Sequence, residues 1–235
     1  MKIAHLFLAA AAIGSLVSGC AKPVPDLLGT KMTKVIPAVD FSLTDQKGAT
    51  YTLSAAKGKV VVLSFIYTHC DDICPFVALK IKDARDLLGP LAEKVEFVAV
   101  TTDPERDTPE VNAAYSRDAG LYDSWHFVTG SVVDVKKVWT DFGIGVHKVA
   151  DSVPAKGEGS DKGMADMNDD ASKGLSQPDI THGKSIGDKF GGGYEVTHTA
   201  PFWFIDPRGN LRAVMNADAA PGDLVANVKA LLGGG

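Results

Sequence analysis

The sequence predicts an α/β fold in which a central, mostly parallel sheet is flanked by helices. Three observations predict it. Val60 to Tyr67 and Val95 to Thr102 are near-continuous apolar runs of strand length, as expected of strands buried on both faces. Each run is followed by a segment with helical periodicity. The alternation recurs at Trp125 to Val128 and the helical stretch after Ser131, and such repetition implies parallel strands joined by crossover helices.

The elements follow in chain order. Asp40 to Leu53 reads as an N-terminal hairpin with its turn at Lys47-Gly48. After the central strand and Pro75, the apolar residues Phe76, Val77, Leu79, Ile81, Ala84, Leu87 and Leu88 recur near helical spacing, and Gly89-Pro90 ends that helix. Thr108 is placed to cap a helix opening at Pro109 and closing at Gly120. Ser131 is placed to cap the helix that runs to Phe142. Tyr194 to Asp206 resumes strand character, and Pro207-Arg208-Gly209-Asn210 turns the chain into Leu211 to Met215. Pro221 opens a terminal helix with Leu224, Val225, Val228, Leu231 and Leu232 inward.

Residues 151–193 break this order. Their 43 positions hold nine glycines, eight acidic residues and five lysines, too polar to supply a core, and they read as a mobile insert. The whole chain, at 235 residues with 45% hydrophobic and 23% charged content, suits one domain with additions. A net charge of −5 without a basic cluster argues against nucleic acid as a partner.

The N-terminus reads as an export signal over residues 1–19. Lys2 precedes an apolar run from Ile3 to Leu16 that is too short to span a bilayer. Val17-Ser18-Gly19-Cys20 resembles a bacterial lipobox, which makes Cys20 the lipid-anchored first residue of a protein on the periplasmic or other extracytoplasmic face of a membrane. The plainer alternative is an ordinary cleavage nearby that leaves Cys20 an idle thiol. Residues 20–36 contain Pro23 and Pro25 and no periodicity, so they read as a tether, with the domain spanning 37–233.

The chemistry concentrates where the central strand ends. Cys70 and Cys74 bracket a strand-to-helix junction, and the unpaired N–H groups of a helix N-terminus favour thiolates. Thiols four residues apart come together at such a bend. They can close a disulfide, which an oxidising compartment would favour, or offer two sulfurs to one ion. Two thiolates make a poor zinc site, whereas two thiolates and one imidazole suit copper.

Three motifs then stand in register: Thr68-His69-Cys70-Asp71-Asp72-Ile73-Cys74-Pro75, Thr102-Asp103-Pro104-Glu105-Arg106-Asp107-Thr108-Pro109, and Val196-Thr197-His198-Thr199 with Phe204-Ile205-Asp206. Together they resemble the Sco/SenC family over roughly residues 37–150 and 194–233. The resemblance implies a thioredoxin-like fold and copper, as Cu(I) or Cu(II), held by Cys70, Cys74 and His198. It also implies a membrane-tethered chaperone that delivers copper to the dinuclear site of cytochrome c oxidase subunit II. An alternative use of the same pair is thiol–disulfide exchange on the oxidase cysteines, with Cys70 attacking and Cys74 resolving. Two features depart from the family pattern: Asp71 stands where proline is common after the first cysteine, and the insert separates the cysteines from His198.

The remaining candidates have plainer readings. His69 neighbours Cys70 but adjacent side chains often point apart. His126 is expected in the core and His147 in solvent. His5 falls in the signal. His182, Met164 and Met167 are soft donors on the insert, incidental unless they collect copper. Asp103, Arg106 and Asp107 are expected to fix a turn near the site, and Asp72 to orient the cysteine loop by accepting backbone N–H bonds.

Overall fold

A computed structural model describes residues 26–150 and 194–233. The expected signal segment, Cys20 as the expected lipid anchor, the start of the expected tether, and the expected insert with Met164, Met167 and His182 lie outside the described residues.

Ten strands and four α-helices succeed one another in the described chain: β1 (Thr30–Pro37), β2 (Ser42–Thr44), β3 (Thr50–Thr52), β4 (Val60–Ile66), α1 (Ile73–Leu88), β5 (Val95–Thr101), α2 (Pro109–Asp118), β6 (His126–Val128), α3 (Val132–Asp141), β7 (Val146–Ala150), β8 (Tyr194–His198), β9 (Phe202–Ile205), β10 (Asn210–Met215) and α4 (Pro221–Gly233). Six of the strands form the main sheet in the order β1-β10-β9-β4-β5-β6. Its core half is parallel, β4 with β5 and β5 with β6. Its other half is antiparallel, through β9 on β4, β10 on β9 and β1 on β10. The sheet is therefore mixed rather than mostly parallel. The reason is local: Asp206 to Asn210 is a tight turn with Gly209 at φ +86°, and a tight turn joins only antiparallel neighbours.

β4 is buried at every position, and the alternation along it divides two cores. Val60 and Val62 face α1 and α4, joining Phe97, Phe202, Phe204, Ile81 and Leu224. Val61, Leu63 and Phe65 face the β2–β3 hairpin and α3, joining Leu43, Tyr51, Val135 and Phe142. Burial on both faces explains the unbroken apolar run. The caps stand where expected: the Thr108 hydroxyl accepts from the Val111 N–H, and the Ser131 hydroxyl from the Asp134 N–H. The hairpin turn carries Gly48 at φ +77°.

Two expectations need correction. In α1 the inward residues are Cys74, Val77, Ala78, Ile81, Ala84 and Leu88, whereas Phe76, Leu79 and Leu87 are exposed. A single face of this helix meets the sheet, so a stripe drawn through every apolar residue was too wide. The tether also ends early. Thr30–Pro37 is an edge strand bulged between Lys31 and Ile36, Leu27 is buried, and the chain is clamped at Leu28. The fully buried Asn227 accepts the Leu28 N–H at 2.7 Å and donates to the Leu28 carbonyl at 3.2 Å. β1 is exposed at nearly every position on both faces, so it shows no apolar periodicity, which hides it in the sequence.

That clamp makes a prediction. Asn227→Ala strands two backbone groups and should cost about 2 kcal/mol of stability. Urea titration should show a lower midpoint at unchanged slope, and an unaltered midpoint would refute the clamp.

Candidate metal centre

The site forms at the carboxyl ends of β4 and β5, where open α/β sheets present their reactive groups. β4 ends at Ile66, and the three loop residues Tyr67, Thr68 and His69 lead to Cys70, which is buried at 8% exposure. α1 begins at Ile73, so Cys74, fully buried, sits in its first turn with Pro75 behind it. Proline is tolerated there because first-turn N–H groups have no partner within the helix.

Both cysteines are thiols in this structure. The disulfide anticipated for the pair is not the form described; the two sulfurs instead share a hydrogen bond. The Cys74 side chain beside it holds the Cys70 thiol down to about 4, against burial, with further help from the backbone N–H groups of residues 72 and 74. Burial and the neighbouring sulfur push Cys74 up. The pair thus divides into one sulfur that ionises readily and one that keeps its proton.

The imidazole arrives from the far side of the insert. β7 and β8 form a two-stranded antiparallel ribbon in which Val146 pairs with His198 and Ala150 with Tyr194. Tyr194, Val196 and His198 fall on one side of β8 by strand alternation. Val196 is buried in the core, and the ring of His198 lies edge-on to Tyr67 with centroids 5.6 Å apart. Its Nε2 is 3.5 Å from Cys74 Sγ. Its Nδ1 is 3.0 Å from the Thr199 carbonyl, which can only accept, so the proton is assigned to Nδ1 and the Nε2 lone pair faces the sulfurs.

A buried carboxylate supports the cysteine loop. Asp107 is fully buried and accepts from the Thr68 N–H at 3.3 Å, the Thr68 hydroxyl at 2.6 Å and the Thr101 hydroxyl at 2.5 Å. Burial nevertheless pushes its pKa up to about 7, despite those donors. The Asp103–Asp107 segment is a hydrogen-bonded turn, with the Arg106 and Asp107 N–H groups donating to the Asp103 carbonyl. The turn role expected of Asp103, Arg106 and Asp107 is what the structure shows; that Asp107 reaches under the cysteines is new. No sequence signal pointed to Tyr67 or Tyr194 as neighbours of the site.

The other candidates lie as follows. Asp72 stands at the N-cap of α1 but its side chain makes no cap hydrogen bond, so its expected orienting role is not seen. His69 Nδ1 is 2.9 Å from the Thr68 hydroxyl. His126 is not a packed core residue: it is half-buried at the start of β6, at the opposite end of the sheet, with Nδ1 3.1 Å from Asp45 and Nε2 3.2 Å from Glu96. Its pKa is raised because those two carboxylates outweigh burial. His147 is exposed, as expected. Among the described residues no three His, Cys, Asp or Glu side chains stand in a finished metal cage. What Cys70, Cys74 and His198 provide is two sulfurs and an imidazole nitrogen gathered at one point, with Nε2 3.5 Å from Cys74 Sγ.

A dithiol at the mouth of a helix, on the end of a central strand whose neighbours are parallel on one side and antiparallel on the other, defines a thioredoxin-like protein. A profile of the SCO1/SenC family matches residues 31–171, and the chain belongs to that family. Among solved structures it is similar to apo Sco1 of Thermus thermophilus, with a TM-score of 0.62 and 28% identity over 89% of this chain and 99% of that one. It is also similar to copper-bound ScoI of Bradyrhizobium japonicum, with a TM-score of 0.59 and 26% identity over 83% of this chain and 99% of that one. The SCO1 protein homolog of Bacillus subtilis is 31% identical over 91 residues, which are 38% of this chain and 47% of that protein. The chain spans about half the length of the curated relatives it matches.

Asp107 generates a pH prediction. The folded protein binds this proton more tightly than the unfolded chain, where the pKa is about 4, so the contribution is fully present below that value and is lost as pH rises toward about 7. In urea titrations from pH 4 to pH 8, wild-type stability relative to Asp107→Asn should fall as pH rises and level off above pH 7. A constant difference would show that burial does not hold the proton.

Proposed function

We propose that this protein is a copper carrier in which Cys70, Cys74 and His198 hold the ion and release it to a copper-accepting protein during cytochrome c oxidase assembly. The observation that carries the reading is the 3.5 Å approach of the His198 Nε2 lone pair to Cys74 Sγ, beside a second sulfur. An ion bonded at about 2.3 Å to sulfur and about 2.0 Å to nitrogen spans that gap at an angle of roughly 110°. The donor set suits copper, since thiolates are soft and imidazole accepts either oxidation state. The Thr199 carbonyl behind Nδ1 is the kind of outer partner that fixes the tautomer of a metal-binding histidine. A relative of similar fold at 26% identity is a copper-bound ScoI, which supports the same reading.

The acceptor in this proposal is the dinuclear copper site of cytochrome c oxidase subunit II. The carrier works on the extracytoplasmic face of a membrane, exported by residues 1–19 and tethered through a lipid on Cys20. Transfer proceeds by ligand exchange: an incoming cysteine of the acceptor takes the ion as His198 and then the two sulfurs let go.

A second reading is favoured by the asymmetry of the thiols. With Cys70 held down to about 4 and Cys74 held up, the pair is arranged as attacking and resolving groups of a thiol–disulfide reductase. It would reduce the acceptor's cysteine pair before metal arrives.

Anaerobic Cu(I) titration against a competing chelator separates the two. Wild type should bind one equivalent. Cys70→Ala, Cys74→Ala and His198→Ala should each weaken binding by more than the roughly 10–100-fold that loss of an outer-shell partner costs. Undiminished affinity in His198→Ala, with thiol exchange lost only in the cysteine variants, would defeat the carrier and leave the reductase.

A further inference from the structure

We propose that Arg106 and Tyr194 form a clasp that holds the β7–β8 ribbon closed over the cysteines, making Arg106 a positioning residue for the His198 imidazole. The inference rests on His198 belonging to the site, and it adds what brings that ring there.

The ribbon needs such a device. A two-stranded ribbon is marginal by itself, and this one is outside the main sheet. Val196 in the core and the Thr199 N–H, which donates to the Gly145 carbonyl at 3.2 Å, hold the His198 end. At the other end Tyr194 pairs with Ala150, and the chain leaves the described residues on both strands. The turn after β5 grips it there. The Arg106 guanidinium lies over the Tyr194 ring at 3.9 Å and donates to the Tyr194 carbonyl at 3.1 Å. The Tyr194 hydroxyl donates to Asp103 at 2.7 Å, and Asp103 is ion-paired with Arg106. Lys148, on the partner strand, pairs with Glu105 at 2.5 Å and covers the same ring at 4.5 Å.

These contacts favour one geometry. Arg106 is 15% exposed and Asp103 fully buried, so the pair is little screened by solvent. Cation–π attraction is directional, and the carbonyl bond fixes the height of the guanidinium on the strand. The turn that grips Tyr194 through Arg106 also supports Thr68 through Asp107. One five-residue segment therefore sets the separation between the thiol loop and the strand that bears the imidazole.

The test uses Tyr194, which is only partly buried and packs at the rim of one core without belonging to its buried set, so the β4 amides serve as the control for core integrity. In apo protein, native-state hydrogen exchange at the His147 and Thr197 amides, which face each other across a hydrogen-bonded pair of the ribbon, should quicken by at least about tenfold in Tyr194→Ala and Arg106→Gln, while the Val62 and Leu63 amides of β4 keep wild-type rates. Tyr194→Phe keeps the ring under the guanidinium and should stay much closer to wild type than Tyr194→Ala. For Cu(I), Tyr194→Ala should weaken binding about tenfold in wild type and have no further effect in a His198→Ala background. Unchanged ribbon exchange in both variants would overturn the clasp, and so would an equal loss of copper affinity with and without His198. If wild type takes up no copper, the carrier reading fails by itself and the exchange rates alone decide the clasp.

Discussion

The Asp107 carboxylate is the constraint on which the rest of the site depends. It is fully buried at the point where the ends of β4 and β5 meet, and it accepts from both the backbone and the hydroxyl of Thr68. A carboxyl group taken wholly out of water is costly unless its oxygens are occupied, and here both are. The conformation of the loop between β4 and Cys70 is thereby tied to a group that tolerates few alternatives. The thiols follow from that tie, since Cys70 lies two residues beyond Thr68 and Cys74 lies in the first turn of the helix that the loop starts.

The two halves of the site are built to different standards of rigidity. The thiol half stands on a strand buried at every position and on a helix whose inner face packs on the sheet and on α4. The imidazole half stands on a ribbon of two strands held by Val196 in the core, Val146 packed at its rim, a loop hydrogen bond and the contacts around Tyr194. Cys74 is set in the firm half and His198 in the compliant half, so a change in the ribbon alters the nitrogen's position without disturbing the sulfurs.

The fold was legible in the sequence where burial is symmetric or periodic. The unbroken apolar run of β4 and the caps Thr108 and Ser131 each have a local physical signature, and each stands where it was read. β1 was not legible, because an edge strand with exposed residues on both sides has no hydrophobic pattern to show. The antiparallel half of the sheet was legible only in part: the turn at Gly209 marks a hairpin, but nothing local says that the hairpin joins β4. For the site, the cysteine pair and the turn at Asp103–Asp107 stand out by composition. His198 was found only through motifs in register, since its approach to Cys74 spans 124 residues of sequence. The reach of Arg106 to Tyr194 leaves no trace in composition or spacing. His126 was misread because its strand is apolar, although it starts that strand and meets Asp45 and Glu96 at the rim.

A carrier has to hold its ion against the surroundings and still surrender it to a partner, and a single rigid cage serves only the first need. Separating the ligands between a fixed platform and a hinged arm serves both. On the proposed reading, the closed arm would offer the ion two sulfurs and a nitrogen, and an open arm would leave the two sulfurs and a vacant position for an incoming thiolate. On the same reading, the energy separating these conditions would be set at Tyr194, whose ring lies near both Arg106 and Lys148, their charges answered by Asp103 and Glu105. Contacts of this kind are worth on the order of 1 kcal/mol each, small beside the cost of unfolding a core strand and comparable to a tenfold change in affinity. On that reading, a partner that touched the Arg106–Tyr194 pair would shift the arm without threatening the fold.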